Sequence, residues 1–118
     1  MKIAVTSQNR KNVTEHAGRC RKFWIFTIDD NTIVDRQLLE LPKEQSFHDS
    51  SPHKAHPLDD VDVLISGGMG QGLMNRLERK GIEGLITGES DPDVAVSRYL
   101  GGKLSSEPPR LHSHGEDE

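Results

Sequence analysis

The sequence predicts one α/β domain built on a five-stranded mixed sheet with flanking helices. Its apolar segments follow the order strand, hairpin, strand, helix, strand, helix. Two of the strands end in a glycine turn that opens a helix, at residues 67–72 and at Gly88. Because helical crossovers join parallel strands, strands one, four and five are predicted to be parallel, and strands two and three antiparallel.

The first half of the chain supplies a central strand and a hairpin. Residues 2–6 are rich in Ile and Val, which is typical of a buried strand. Residues 23–29 and 32–41 flank Asp30-Asn31, a pair of turn residues, and predict a hairpin. Residues 42–57 are polar, lack an apolar period and form a long loop.

The second half alternates strands and helices. A nearly continuous apolar run at 61–66 predicts a strand buried on both faces. Leu73, Met74 and Leu77 then recur at helical spacing, and this helix is predicted to end at Gly81. A strand at 83–87 and a helix at 92–100 complete the domain, with Asp91 as N-cap and Pro92 at the first helical position.

Length and composition limit the organisation and the function classes. The predicted domain spans residues 1–104, and residues 105–118, with two prolines, His112 and His114, are predicted to form a flexible tail. The 15 basic and 19 acidic residues give a net charge of −4, and only 4% of the residues are aromatic. Nucleic-acid binding is therefore not expected, since it needs a basic stripe and stacking rings.

Cysteine usage and hydropathy predict a cytoplasmic protein. The single cysteine, Cys20, excludes an internal disulfide framework. No apolar stretch approaches the roughly 18 residues that a membrane helix needs, and the apolar part of the N-terminus is too short for a signal peptide. We therefore expect no membrane association.

The glycine run at 67–72 has two interpretations. Its G-x-G-x-G spacing matches neither nucleotide-binding fingerprint. The glycines either permit a tight turn with close packing, or expose backbone N–H groups that cradle an anion at the carboxyl edge of the sheet. The second interpretation predicts a binding wall formed by Ser66, Gly67, Gly68, Gly70, Thr87 and Gly88.

Four segments together resemble a known family. They are Lys-Ile-Ala-Val at residues 2–5, His-Ala-Gly-Arg-Cys at 16–20, the run at 62–70, and a closing helix at 95–104. In these the chain resembles the nitrogenase iron-molybdenum cofactor biosynthesis family, the NifX-like group that includes relatives of the molybdenum-copper orange protein.

The resemblance implies a ribonuclease-H-like fold and a non-enzymatic role. The implied function is that of a prokaryotic cytoplasmic carrier of an anionic metal–sulfur cluster of Fe-S, Fe-Mo or Mo-Cu type, in cofactor assembly or storage. Proteins that donate or accept the cluster would be its partners. His16 is the implied ligand, with Gly18 beside it and Arg19 as counter-charge; the alternative is a surface or hydrogen-bonded histidine. Ala17 departs from the family, which commonly has Phe there, so an aromatic wall beside the ligand is missing.

Further metal ligands are candidates on residue type alone. Cys20 lies among Arg19, Arg21 and Lys22, and reads as a buried cysteine that opens the second strand or as a soft ligand. His48, His53 and His56 lie in the loop. We interpret them as surface histidines, with metal capture through His53 and His56 as the alternative.

Two other function classes stay open. An enzyme or a regulatory module could bind a small anionic metabolite at the same glycine edge. A nuclease is not expected because the first strand carries no carboxylate and Asp62 stands alone. Ser66 lacks the G-x-S-x-G context of a serine hydrolase.

Overall fold

The computed structural model describes residues 1–104, and all five strands form one sheet. The elements in chain order are β1 (Lys2–Thr6), β2 (Lys22–Asp29), β3 (Thr32–Glu40), a 3₁₀ turn (Lys43–Gln45), β4 (Val63–Ser66), α1 (Gln71–Arg79), β5 (Glu83–Ile86) and α2 (Pro92–Leu100). The predicted tail at 105–118, with His112 and His114, lies outside the described residues.

The mixed sheet is confirmed, with strand order β3-β2-β1-β4-β5. β1 is central, pairing antiparallel with β2 and parallel with β4, and β5 continues the parallel half. β4 begins at Val63 rather than at residue 61. The preceding Asp62 is exposed, and its carboxylate accepts a 2.9 Å hydrogen bond from the Lys2 backbone N–H. The carboxyl ends of β1, β4 and β5 therefore meet at one edge of the sheet.

The predicted hairpin is confirmed. Asp30 and Asn31 both have positive φ, 53° and 61°, as the mirror-image turns of tight hairpins require. The Asn31 side chain also donates to the Leu100 carbonyl at 3.2 Å. The turn is thereby tied to the end of α2.

Alternation along the strands creates a core on each face of the sheet. Ile3 and Val5 face one way and pack in a cluster with Ala95 and Val96 of α2. Ala4 faces the other way, into a cluster that includes Leu77 of α1. The sheet is thus covered by α2 on one face and by α1 with the long loop on the other.

Both helices begin and end largely where local signals place them. The Asp91 carboxylate accepts hydrogen bonds from the N–H groups of Asp93 and Val94 at 2.9 and 3.3 Å, which confirms it as the N-cap of α2. Gly81 follows α1 with φ of +75°. α2 spans Pro92–Leu100 as predicted, and the segment that follows it up to residue 104 is not helical, with Gly102 at a positive φ of 71°.

The long loop packs closely against the sheet. The Phe47 ring is 8% exposed and meets Phe23 edge-on, with ring centroids 6.1 Å apart. His56 is 7% exposed, so its interpretation as a surface histidine is wrong. Across residues 1–104, no helix has the length and apolar character needed to cross a bilayer.

Candidate functional site

The glycine edge of the sheet is covered by residues 13–17. The Gly67 N–H donates to the Thr14 carbonyl at 2.8 Å, and the Gly68 N–H donates to the Ser66 hydroxyl at 3.3 Å. The expectation that this run exposes bare backbone donors is therefore wrong at these two positions. A cradle for an anion cannot use N–H groups that already have partners.

Close approach explains the glycine at position 68. A Cβ built on Gly68 would lie 2.3 Å from the Glu15 carbonyl oxygen, a distance that real contacts do not show. The Ala17 N–H donates to the Gly68 carbonyl at 3.1 Å, across the same contact. The structure thus supports the close-packing interpretation of this glycine.

Ser66, at the end of β4, binds the segment 13–17 that covers the glycine edge. Its hydroxyl is buried and lies 3.0 Å from the carbonyl oxygens of both Thr14 and Gly68. It also receives a 3.0 Å hydrogen bond from the Thr6 hydroxyl. These contacts fix the backbone that leads into the next turn.

That turn exposes two of the candidate side chains and buries two small residues. His16 and Arg19 are exposed, whereas Ala17 and Gly18 are buried. The Arg19 N–H donates to the His16 carbonyl at 3.2 Å and closes the turn. Because Ala17 is fully buried and belongs to the core cluster, its side chain points towards the core. A larger side chain at position 17 would therefore contact the core before it reached the surface of the turn.

Cys20 follows as a buried residue. It is 2% exposed, and its thiol donates to the Lys22 carbonyl at 3.0 Å. Burial raises the pKa of the thiol above its ordinary value, against smaller opposing effects of backbone hydrogen bonds. The interpretation as a buried cysteine is confirmed.

The two loop histidines proposed as metal ligands differ in environment. The His56 Nδ1 accepts from the Leu58 N–H at 3.1 Å, and its Nε2 lies 2.7 Å from the Gln45 carbonyl oxygen. This pairing assigns the proton to Nε2 and occupies both ring nitrogens. His53 is exposed. Within residues 1–104 there is no group of three or more His, Cys, Asp or Glu side chains suited to a metal.

The second glycine turn lines an acidic cavity. Thr87 and Gly88 border a space of about 220 Å³ together with Gly67, and Glu15 and Glu89 lie on the same wall. These carboxylates disfavour an anionic ligand there. The structure therefore brings Gly67, Thr87 and Gly88 together as predicted. The carboxylates of Glu15 and Glu89 beside them make the cavity unfavourable for an anion.

A cationic cavity lies between the long loop and α1. Its volume is about 290 Å³, and its lining includes Gly18, His48, Gly72, Arg76 and Arg79. Sequence reasoning missed Arg76, which is 6% exposed. Its position could have indicated burial, because it lies three residues after Leu73 and directly before Leu77, on the apolar face of the helix.

Comparisons with known proteins agree with this architecture. An uncharacterized protein of Methanocaldococcus jannaschii is 26% identical over 106 residues, which span 88% of this chain and 89% of that protein. The crystal structure of MJ0327, from the same organism, superposes with a TM-score of 0.70 at 22% identity over 93% of this chain and 97% of that one. The structure of the apo orange protein of Desulfovibrio gigas superposes with a TM-score of 0.63 at 20% identity, over 92% of this chain and 93% of that one.

The match that identifies the chain covers most of its length. The pattern of the family described as dinitrogenase iron-molybdenum cofactor extends over residues 1–102 of the 118. It takes in every strand and both helices of the described structure. The chain therefore belongs to the dinitrogenase iron-molybdenum cofactor family.

Proposed function

We propose that this protein carries a preassembled, anionic metal–sulfur cluster in the cytoplasm, during cofactor assembly or storage. The observation that carries the proposal is the His16–Arg19 turn. It presents an exposed imidazole and an exposed guanidinium on a backbone that is hydrogen-bonded to the end of β4. Family membership supports this cargo, since the family is named for the iron-molybdenum cofactor.

The chemistry of the turn suits such a cargo. A neutral imidazole is a good ligand for iron, copper or molybdenum at an open position of a cluster. A preassembled cluster brings its own sulfide ligands, so one protein donor is sufficient to tether it. Arg19 would offset the negative charge and donate hydrogen bonds to sulfides.

We assign the surrounding residues supporting roles in the same proposal. Gly18 keeps the turn free of a side chain beside the cargo, and Gly70 is the N-cap of α1 without a capping side chain. Ser66 through its hydroxyl, and Gly67 and Gly68 through their backbone groups, would hold residues 14–17 in place. The partners would be proteins that donate the cluster and accept it.

Anaerobic reconstitution tests the proposal. Protein without a histidine tag is mixed with iron, molybdate or copper and sulfide, then desalted and examined for visible absorbance and bound metal. We expect stoichiometric metal in the wild type and a loss of most of it in His16→Ala. Because His53 is also exposed but lies in the loop, His53→Ala is the matched control and should bind as the wild type does.

Two outcomes would contradict the proposed site. If neither protein takes up metal and sulfide, the carrier function is wrong. If His16→Ala binds fully while His53→Ala does not, the cargo binds at the loop instead.

A further inference from the structure

Arg76 carries a buried positive charge that no carboxylate of residues 1–104 pairs with. Its side chain extends from α1 under the long loop, where it is 6% exposed. Its terminal nitrogens donate to the carbonyls of Phe47, Ser50 and Ser51 and to the Ser50 hydroxyl, at 2.9 to 3.3 Å. All of these acceptors are neutral. Within the described residues no carboxylate lies at ion-pair distance, and the buried Nε has no hydrogen-bond partner.

Such an arrangement is costly unless something else offsets the charge. A buried cation needs an opposite charge or a complete set of hydrogen bonds. Within residues 1–104 Arg76 has no opposite charge in contact, and its Nε is unpaired, although the guanidinium carbon also lies 5.1 Å from the centroid of the Phe47 ring. Asp59, the acid that acts on Arg76 from a distance, is paired with Lys80. Burial lowers the pKa of the guanidinium, as expected where its charge is incompletely stabilised.

The cationic cavity of about 290 Å³ adjoins this charge. Arg76 lines it, Arg79 adds a second guanidinium, and no carboxylate is among the residues that the structure places on its wall. The Ser50 hydroxyl accepts from Arg76, so its own proton is available to a ligand. Gly72 lies in the first turn of α1, where the N–H groups lack a side-chain cap.

We propose that this cavity binds a small tetrahedral oxyanion, of the phosphate, sulfate or molybdate class. The anion would be held directly by Arg79, Ser50 and the first N–H groups of α1, and it would neutralise the buried charge of Arg76. His16 is not among the residues that line this cavity, whereas Gly18, two positions further along the same turn, is. It does not depend on the proposed cluster carrier function.

Titration of the full, metal-free chain with inorganic phosphate and with molybdate tests this site. Amide resonances of ¹⁵N-labelled protein are followed at constant ionic strength, with chloride as the reference anion. We expect saturable shifts at Gly18, Gly72 and Leu73 that fit one dissociation constant. Arg79→Gln should weaken binding about tenfold, the loss expected for one charge-assisted hydrogen bond.

Matched variants separate this site from general charge and from the cluster site. Arg98, an exposed arginine in the last turn of α2, is the control, and Arg98→Gln should bind as the wild type does. His16→Ala should also keep full oxyanion binding. Arg76→Met removes the buried charge and should abolish binding, and since this variant could also unfold the loop, Arg79→Gln remains the deciding change.

The proposal is overturned if neither anion gives saturable shifts up to concentrations on the order of tens of millimolar, where even weak sites fill. It is also overturned if Arg79→Gln and Arg98→Gln weaken binding equally. Loss of oxyanion binding in His16→Ala would show that the two sites are one. Failure of cluster uptake with intact oxyanion binding would count against the carrier function alone.

Discussion

A side chain at position 68 would collide with backbone atoms of Glu15, which cannot move aside as a flexible side chain could. A Cβ there would lie 2.3 Å from the Glu15 carbonyl oxygen, whereas at Gly72 it would meet nothing within 4 Å. Residues 13–17 would have to move to accept it, and these residues carry the proposed ligand. Stability and cargo binding are therefore linked at this position.

Gly68→Ala should lower the free energy of unfolding by about 1–3 kcal/mol, the usual cost of overpacking. Gly72→Ala is the matched control and should be neutral or stabilising by up to about 1 kcal/mol, because alanine restricts the unfolded chain. Urea unfolding of both variants measures the difference. Equal stability of the two would contradict the close-approach account.

His56 is a second residue with a measurable consequence. Its neutral ring stacks on Phe47 with centroids 4.8 Å apart, accepts from Leu58 and donates to Gln45. Protonation would place a second N–H against the Leu58 N–H. Burial is the main cause that lowers the pKa of His56 below its ordinary value.

This lowered pKa predicts acid destabilisation. Above about pH 6.5 His56 is neutral in both states and its contribution is complete. As the pH falls below that value the unfolded chain takes up the proton first, so the unfolding free energy falls by up to about 1.4 kcal/mol per pH unit, down to the lowered folded pKa.

Unfolding of the wild type and of His56→Gln between pH 5 and 7.5 isolates this effect from the five other histidines, which both proteins share. The glutamine keeps a donor for Gln45 but does not titrate in this range. The variant should lose the additional slope. Identical slopes would contradict the buried, neutral role of His56.

The individual residues of the site were only partly predictable. The sequence indicated the turn at 67–72 because glycines mark turns locally. It did not indicate what covers that turn, since Ser66 and Thr14 lie 52 positions apart. The same applies to Arg76, whose partners in the loop lie 25 to 29 positions away. Contacts of this kind follow from packing and leave no local pattern.

At the scale of elements, the local signals were sufficient for the helices. Asp91 and Pro92 mark the start of α2, and the hydrogen bonds of the Asp91 carboxylate confirm the assignment. The packing of the long loop was harder to predict. Its sequence lacks an apolar period, and so did not indicate that Phe47 and Leu58 belong to the core. Arg76 of α1 binds the loop at the Phe47 carbonyl, and His56 joins the end of the loop to Gln45 near its beginning.

Asp91→Ala tests the capping signal. Removing the acceptor leaves two N–H groups of α2 without a partner, so the unfolding free energy should fall by about 1 kcal/mol. Ser90→Ala changes the neighbouring exposed side chain and should have little effect. Thermal unfolding monitored by circular dichroism compares the two. A loss as large in Ser90→Ala would show that the cap is not responsible.

At the scale of the whole molecule, charge separates the two cavities near the carboxyl edge of the sheet. Glu15 and Glu89 line the space beside Thr87 and Gly88, whereas Arg76 and Arg79 line the space between α1 and the loop. The His16–Arg19 turn borders both cavities, since the preceding Glu15 lines the acidic one and Gly18 within the turn lines the cationic one. An anionic cargo is therefore expected to approach from the arginine side.

We further propose that residues 1–104 form the complete binding domain. The family pattern ends at residue 102, and Leu104 packs against the core cluster on the α2 face of the sheet. A chain shortened to residues 1–104 should keep its melting temperature within about 2 °C, since a domain of this size shifts several degrees per kcal/mol. It should also bind the same amount of cluster as the full chain. A large drop in either quantity would assign a role to residues 105–118.

The most direct test of the central claim is elemental analysis of protein expressed without a histidine tag and purified without oxygen. The carrier account predicts iron, molybdenum or copper together with acid-labile sulfide, in a fixed ratio to protein, before or after reconstitution. It also predicts that His16→Ala, purified in parallel, loses most of this metal while remaining folded. A wild-type protein without metal and sulfide under both conditions, or a His16→Ala variant with an undiminished content, would contradict the account.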